Sequence, residues 1–453
     1  MSVNRLLVLV AAAACLVVSV AAAPTVALAS TPSVGTSTPF PLTHAAQQGA
    51  AWLGGQLTQA GFISSQTSPG SADLSGTANT VLALASAGVD ANGAYAASRY
   101  LAGHVDDYVV SGGADGPAQL ALLVLDAHAL GQDPSDFGGT DLVSRLLATE
   151  QTSGPDRGLF GSEAQAANYQ AGNYQQGLAL AALAAAGVHG TAQTALATTW
   201  LLGQQCPDGG WTTPDDVNVP CSGSPANFAG PDTNATAVAV EGLAAQGALP
   251  AQASTNALSF LIAGQDGDAG WSYYPNSVVV PQTTDPDSTA LVIQALLAMG
   301  TSPTDPRLQK GGGDPASELL GFQITAGSGA GAFAFPGTTG PNLLATYQGV
   351  PAAAGVTLPF VAPFAGQGYL AVGADGGIFA YGDAAFEGSH GGSPLNAPVT
   401  GMAATPDGKG YWLVGSDGGI FAYGDAAFEG SPSMSSPVAP IVALVSPGAR
   451  PVG

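Results

Sequence analysis

Apolar residues do not alternate along most of this chain; they come in blocks of Ala, Leu and Val too dense for a one-sided helix. Runs such as Val81-Leu82-Ala83-Leu84-Ala85 and Leu291-Val292-Ile293-Gln294-Ala295-Leu296-Leu297 are apolar on nearly every face, and helices of that kind are buried on all sides. Each block runs into a glycine, at Gly88, Gly131, Gly187, Gly247, Gly300 and Gly349, which can take the left-handed cap that ends a helix. The ends recur at irregular intervals of about 43 to 60 residues, the mark of a helical-repeat array with variable loops. A more amphipathic helix precedes each, at Trp52-Leu53, Tyr100-Leu101, Leu146-Leu147, Trp200-Leu201-Leu202, Phe260-Leu261-Ile262 and Leu319-Leu320. Five of these six end on glutamine: Gln56, Gln151, Gln204 or Gln205, Gln265 and Gln323. Buried helices inside and half-buried helices outside can close as a ring of six pairs, an (α/α)6 toroid over residues 43–355, and closure hides both ends of the stack.

The pattern changes after a Pro/Ala-rich stretch, read as a linker over 356–365. In 366–453, short Tyr/Phe/Val runs alternate with Asp-Gly turns, as in Tyr411-Trp412-Leu413-Val414 and Ile420-Phe421-Ala422-Tyr423 around Asp417-Gly418-Gly419. That alternation predicts strands in tight hairpins. Residues 368–389 and 410–431 match at an offset of 42, with DGGIFAYGDAAFEGS identical in both. A unit of this length resembles one propeller blade, and similar repeats recur in actinobacterial secreted proteins. Two blades do not close a ring of four or more, so the β-rich module either pairs with another copy or forms a small open sheet. Tyr381, Trp412, Tyr423 and Phe428 suit packing between strands better than stacking on envelope sugars.

The first 29 residues have the layout of a secretory signal: Met1-Ser2-Val3-Asn4-Arg5, an apolar run from Leu6 to Ala23, and a small-residue exit at Ala27-Leu28-Ala29. A retained anchor and lipid attachment at Cys15 are the alternatives. A linker over 30–42 leads into the toroid. Export makes Cys206 and Cys221 the remaining cysteines, and an even pair in an exported chain defaults to a disulfide, worth about 3 kcal/mol. With 31 acidic against 8 basic residues, the surface repels nucleic acid and anionic membranes. The expected location is extracellular, with attachment to the envelope through the β module as a further expectation.

Two segments carry a family resemblance. Gln205-Cys206-Pro207-Asp208-Gly209-Gly210-Trp211 and Gln265-Asp266-Gly267-Asp268-Ala269-Gly270-Trp271 resemble the Gln-x-x-Asp-Gly-Gly-Trp repeat of the terpenoid cyclase and protein prenyltransferase superfamily, with weaker copies at Gln151 to Phe160 and Gln323 to Phe333. The resemblance implies the toroid fold, and in it the glutamine, the glycines and the tryptophan belong first to the scaffold. It says less about function, because the same toroid serves cyclases, prenyltransferases, cobalamin carriers and complement-type domains.

In such a toroid the inner helices begin at one rim, so their partly positive ends converge on the mouth of a central cavity. The starts read Asn79-Thr80, Asn173-Tyr174, Asp232-Thr233-Asn234, Asp285-Pro286-Asp287-Ser288-Thr289 and Asn342, residue types that also serve as ordinary caps. Asn79, Tyr174, Asp232, Asn234, Trp211, Trp271, Tyr273 and Tyr274 are the candidate ligand contacts. Asp285-Pro286-Asp287-Ser288-Thr289-Ala290 resembles the acid motif of squalene cyclases, which implies a proton-donating role for Asp287 with Asp285 and Ser288 beside it. Ser288 stands where squalene–hopene cyclases carry a second Asp, which puts alkene protonation in doubt.

The five histidines, His44, His104, His128, His189 and His390, show no ligand spacing with the cysteines, so no metal is expected. No cofactor is assigned; a cobalamin-like ligand follows by analogy only. The preferred expectation is a secreted, non-catalytic protein holding a small or extended ligand at the cavity mouth. Partners would be that ligand, an envelope glycan, or further copies through the β module. A cyclase- or transferase-like enzyme using Asp287 and a purely structural envelope protein are the alternatives.

Overall fold

The computed structural model describes residues 39–166, 170–212, 221, 230–275, 283–382, 384–406, 408–435 and 437–446. The leader expected over 1–29, and all but the last four residues of the linker expected over 30–42, lie outside these. No helix among the described residues is long and apolar enough to cross a membrane. The chain divides into two compact units, Met1–Pro363 and Phe364–Gly453.

The helices of the first unit are α1 (Thr43–Gly54), α2 (Leu74–Ala87), α3 (Ala91–Ala102), α4 (Val105–Val109), α5 (Pro117–Ala129), α6 (Leu142–Ala148), α7 (Glu163–Ala166), α8 (Asn173–Ala185), α9 (Ala192–Gly203), α10 (Thr233–Ala245), α11 (Ala251–Gly264), α12 (Pro286–Ala298), α13 (Pro315–Gly321) and α14 (Leu343–Ala354). Six of them, α2, α5, α8, α10, α12 and α14, pack side by side in that order, and α14 packs back on α2. The ring is closed. Each inner helix is backed by a returning outer one, namely α3, α6, α9, α11, α13 and, for α14, α1, so the inner helices all run the same way. The toroid of six pairs is therefore the architecture of this unit.

Local sequence sets the ends of these helices. Asp73, Asp232, Asp285 and Asn342 cap α2, α10, α12 and α14 by accepting backbone N–H bonds of 2.7 to 2.9 Å. Such a cap is worth about 1 kcal/mol. Gly88 and Gly300 take positive φ just past α2 and α12. Gly349, read as such an end, instead lies within α14 and is buried; Gly355, with φ 74°, is the cap. The helix continues past Gly349 through Pro351, and the left-handed region is reached only at Gly355. Two-residue antiparallel ladders, β1–β2 (Ile63–Ser64 with Ala72–Asp73), β3–β4 (Val110–Ser111 with Ala114–Asp115) and β5–β6 (Trp211–Thr212 with Pro231–Asp232), deliver the chain to α2, α5 and α10.

Three of the glutamines that end the outer helices, Gln205, Gln265 and Gln323, stitch neighbouring pairs together. Gln205 Nε2 donates to its own turn at Gly209 O (2.9 Å) and to Ala253 O of α11 (3.0 Å). Gln265 Nε2 does the same with Ala269 O (2.9 Å) and Leu308 O (2.7 Å). Gln323 Nε2 reaches Gly331 O and, across 278 residues of sequence, Ala45 O of α1, both at 2.8 Å. One side chain thus ties the last outer helix in sequence, α13, to the first, α1. Where α8 crosses α10, Gly177 and Gly242 bring the two backbones into direct contact, with no room for a Cβ on either.

In the second unit, β7 (Tyr369–Val372) and β8 (Ile378–Tyr381) form a two-stranded hairpin, while β9 (Val399–Ala404), β10 (Gly410–Gly415) and β11 (Ile420–Gly424) form a three-stranded antiparallel sheet. Tyr411 and Leu413 of β10 anchor a small core with Ile378 and Val399.

Of the stretch read as a linker over 356–365, residues 356–363 belong to the first unit and are bonded to its helices. Gln294 Nε2 of α12 donates to Val356 O (3.4 Å), Leu358 N–H donates to Glu241 Oε1 of α10 (3.3 Å), and Ala362 N–H to Ala129 O of α5 (2.8 Å). Pro363 then packs on Gly88, past the end of α2. This strap lies across the C-terminal ends of the inner helices. Prolines that suit a free linker equally suit an extended strap whose few N–H groups find helix-end acceptors.

Candidate functional site: the lumen of the ring

Asp285 and Asp287 open α12 in different ways. The Asp285 carboxylate caps the helix, accepting from Ser288 N–H (2.7 Å) and from the Ser288 hydroxyl (3.0 Å). Burial still lifts its pKa to about 6 against those bonds. Asp287, two residues into the helix, makes no cap: its Oδ1 is buried without a hydrogen-bond partner, and the side chain is 5% exposed. Burial, reinforced by the charge of Asp285, holds its carboxyl well above the usual carboxylate range. Burial therefore favours the protonated form of Asp287. The expectation that Asp287 would cap the helix is therefore corrected: the cap is Asp285, because Pro286 fills the first helical position and leaves Asp287 with helical backbone angles.

Electrostatic coupling shows what Asp287 faces. Tyr174 of α8 has its phenol pushed up to about 12, first by burial and then by Glu241, Asp287 and Asp232. Tyr347 of α14 is raised by burial and by Asp287, Asp73, Tyr174 and Tyr108. The helices α8 and α12 are not neighbours in the ring, nor are α8 and α14, so side chains coupled between them project into the lumen. Tyr108 joins from α4, its hydroxyl bonded to Ser75 near the start of α2. Tyr108, Tyr174 and Tyr347 are each half-buried.

Deeper in the ring stand two further acids on otherwise apolar helix faces. Asp126 of α5 has no exposed surface, and neither carboxyl oxygen has a hydrogen-bond partner; burial raises its pKa well above normal. Glu241 of α10, under the strap, accepts from Leu358 N–H through Oε1 and leaves Oε2 without a partner. Burial lifts it to about 8, opposed by that one bond. An unpaired buried carboxylate is costly enough that the group takes up a proton instead. The inner helices thus carry acids and phenols whose pKa values burial raises, set among buried apolar side chains.

Of the residues the sequence singled out, the ring brings Tyr174, Asp232, Asn234, Asp285, Asp287 and Ser288 to its N-terminal rim. Asn234 is 4% exposed and accepts from the Thr233 hydroxyl (3.3 Å). Tyr273 and Tyr274 pack edge to face, centroids 4.5 Å apart, in the approach to α12, and the Tyr273 carbonyl accepts from Thr233 N–H at the start of α10 (3.0 Å). Asn79 corrects an expectation: α2 begins at Leu74 under the Asp73 cap, so Asn79 sits in the second turn, bonded back to Ser75 O (2.9 Å). Trp211 and Trp271 are also corrected, as ligand contacts. Both are 0% exposed, and their indole N–H groups donate to Leu201 O (2.8 Å) and Leu261 O (2.7 Å), wedging each ring over the end of an outer helix.

Sequence reasoning missed Tyr108, Asp126, Glu241 and Tyr347. For Asp126 and Glu241 a signal was present: each is the single acid in an inner helix and stands within its apolar run. Cys206 and Cys221 are joined in a disulfide, Cα atoms 5.5 Å apart. Among the described residues, no group of three or more His, Cys, Asp and Glu side chains gathers as a metal site.

No family model matches the sequence, and neither does any curated protein. Solved structures that resemble it include the ent-copalyl diphosphate synthase of Streptomyces platensis, 16% identical with a TM-score of 0.39, over 62% of this chain and 49% of that one. The chain thus spans about half the length of that synthase. A protein from Actinoplanes matches at 14% identity and a TM-score of 0.46, over 69% of this chain and 99% of its own. A type II terpene cyclase from Scytonema matches at 15% and 0.46, over 69% and 97%. Likenesses this distant carry no argument about chemistry.

Proposed function

We propose that the toroid binds a small, largely apolar molecule in its lumen and orients it by hydrogen bonds with the carboxyl and phenol groups at the rim. The observation that carries this is Asp287: enclosed, with one oxygen unclaimed by the protein and its protonated form favoured by burial, it is built to meet a polar group on a ligand. Tyr174 and Tyr347 stand beside it as further donors. Pockets of this composition, apolar walls with a few aimed polar groups, are the usual form of small-molecule sites.

A second reading, acid catalysis of the terpene-cyclase kind, is favoured by the same proton on Asp287. Its weakness lies in Ser288. The hydroxyl that a strong acid would need beside it donates to Asp285 instead, so nothing stabilises the Asp287 carboxylate left after proton transfer. The raised pKa marks a well-protonated but weak acid, suited to donating a hydrogen bond and poorly suited to protonating an alkene.

Organic extraction of the protein purified from culture medium, followed by mass spectrometry, tests the binding reading; extracts with no enriched small molecule would count against it. With a ligand in hand, Asp287→Asn keeps a donor and an acceptor in place and should hold affinity within a few-fold. Asp287→Leu should lose about tenfold, the worth of one hydrogen bond of ~1.4 kcal/mol. Incubating wild type and Asp287→Asn with squalene, oxidosqualene and shorter polyprenyl compounds tests the enzyme reading. Cyclised product from wild type alone would establish catalysis and displace the binding reading.

A further inference from the structure

The two repeats of the second unit are nearly identical in sequence yet differently satisfied. Tyr411, on β10, is 1% exposed. Its hydroxyl donates to Gly388 O and accepts from Glu387 N–H (3.1 Å), both in the turn that ends the preceding repeat. Its neighbour Tyr423, with ring centroids 5.7 Å apart, lies against Gly388, where no Cβ fits. Forty-two residues earlier, Tyr369 and Tyr381 form the same pair, centroids 5.0 Å apart, but Tyr369 is 64% exposed. At the other end of the unit, Glu429 and Gly430 repeat the Glu387-Gly388 seat, and a Cβ on Gly430 would meet nothing within 4 Å. One end carries an unseated knob and the other an empty seat.

The strands show the same deficit. The second repeat has a leading strand, β9, paired with β10 in the register Trp412↔Ala403, Leu413↔Met402 and Val414↔Gly401. The first repeat has only its hairpin, and β7 pairs with β8 alone, because the residues that would lead into it form the strap of the toroid. After β11, Ile441–Ser446 occupies the place of a further leading strand: Ile441 N–H donates to Ser416 O (2.9 Å) just as Val399 N–H donates to Ala374 O (2.9 Å), again 42 residues earlier. Thr400 Oγ1 holds it beside β9 through Ile441 O (2.8 Å). Among the described residues it carries no hairpin, and Val442 and Val445 are 78% and 83% exposed.

We propose that a second copy of this chain completes the unit: the β7–β8 hairpin of one copy adds to Ile441–Ser446 of another. Carrying the internal register forward by one repeat pairs Leu370 with Val445, Ala371 with Leu444 and Val372 with Ala443, and seats the Tyr369 hydroxyl on Glu429 N–H and Gly430 O. The occupant is named by the molecule itself, since the contact between its two repeats is the template and the residues on both sides recur. Strand addition satisfies the open edge of β7. The contact is heterologous, so it propagates from copy to copy until the rotation closes a ring.

Light scattering on the full chain over a concentration series should give a mass above that of one chain. Tyr369→Ala and Val445→Lys, both at exposed positions, should each weaken association at least tenfold while leaving the helical circular dichroism intact. Mixed together, the two variants should form a dimer that neither forms alone, since one carries a good strand and the other a good hairpin. Oxidised mixtures of Ala371→Cys and Leu444→Cys copies should yield a disulfide-linked dimer. A wild type that stays monomeric throughout, or association that neither variant weakens, would overturn the proposal.

Discussion

The two units of this chain are both repeat arrays, and they differ in whether the array closes. In the toroid the inner helices close on themselves, so each has two neighbours, and the Gln323 bond to Ala45 ties the C-terminal helices to α1. In the β unit two repeats stand in line, so one aromatic pair is seated and its copy is bare. The lesson is that near-identical residues acquire their energetic role from position in the array. Tyr411 is core and Tyr369 is surface, although the strand and turn around them match.

The largest expected effect is the contrast between those two tyrosines. Tyr411→Ala removes a buried ring and both of its hydrogen bonds, and should cost the β unit about 3 to 5 kcal/mol. Tyr369→Ala should stay within about 0.5 kcal/mol in dilute protein, as surface substitutions do. Urea unfolding followed by tryptophan fluorescence, to which Trp412 of β10 contributes, reads both; equal losses would remove the distinction between seated and unseated repeats.

The toroid's interior gives the next effect, through pH. Glu241 is lifted by burial from 4.5 to about 8 in the folded protein, so between those values the unfolded chain is ionised while the folded one holds its proton. Folding stability therefore falls as pH rises from about 4.5 to 8 and levels off above. A shift of this size corresponds to a few kcal/mol, at about 1.4 kcal/mol per unit. Asp126, Asp285 and Asp287 are raised as well and add to the slope in the same direction. Glu241→Gln should flatten the profile by its own share, measured as melting temperature across this range in both proteins; identical slopes would mean that Glu241 is ionised in the native state.

The smallest of the three tests closure itself. Gln323→Ala deletes two bonds at the seam and should cost about 2 kcal/mol, with amide exchange rising first in α1 and α13. Gln56, whose amide turns back to Trp52 O of its own helix (3.2 Å), joins no seam. Its replacement by Ala should be nearly silent, and a loss equal to that of Gln323 would deny the seam its special role.

Much of this was legible in the sequence because it is local. Apolar blocks ending in glycine announced the inner helices, Asp285-Pro286 announced the start of α12, and the Gln-to-Trp segments announced the turns. The misreadings came where a local pattern has two uses. Asn79 looked like a helix start, yet Asp73 had already capped the helix. The prolines of 356–365 looked like a linker and form a strap.

What the sequence determined by itself was therefore the repeat: its helices, their caps, the glutamine turns and the hairpins with their 42-residue offset, all set by interactions within a few residues. What only the tertiary structure decided was where each repeat ends up facing. Six separate helices had to close before Tyr174, Glu241, Asp287 and Tyr347 came together, and that enclosure, by withdrawing water, raises the pKa of both carboxyls and both phenols. The indoles of Trp211 and Trp271 went to the scaffold instead, because carbonyls at Leu201 and Leu261 lay within reach of their N–H groups. Desolvation is a property of the whole ring, and no stretch of the chain encodes it alone.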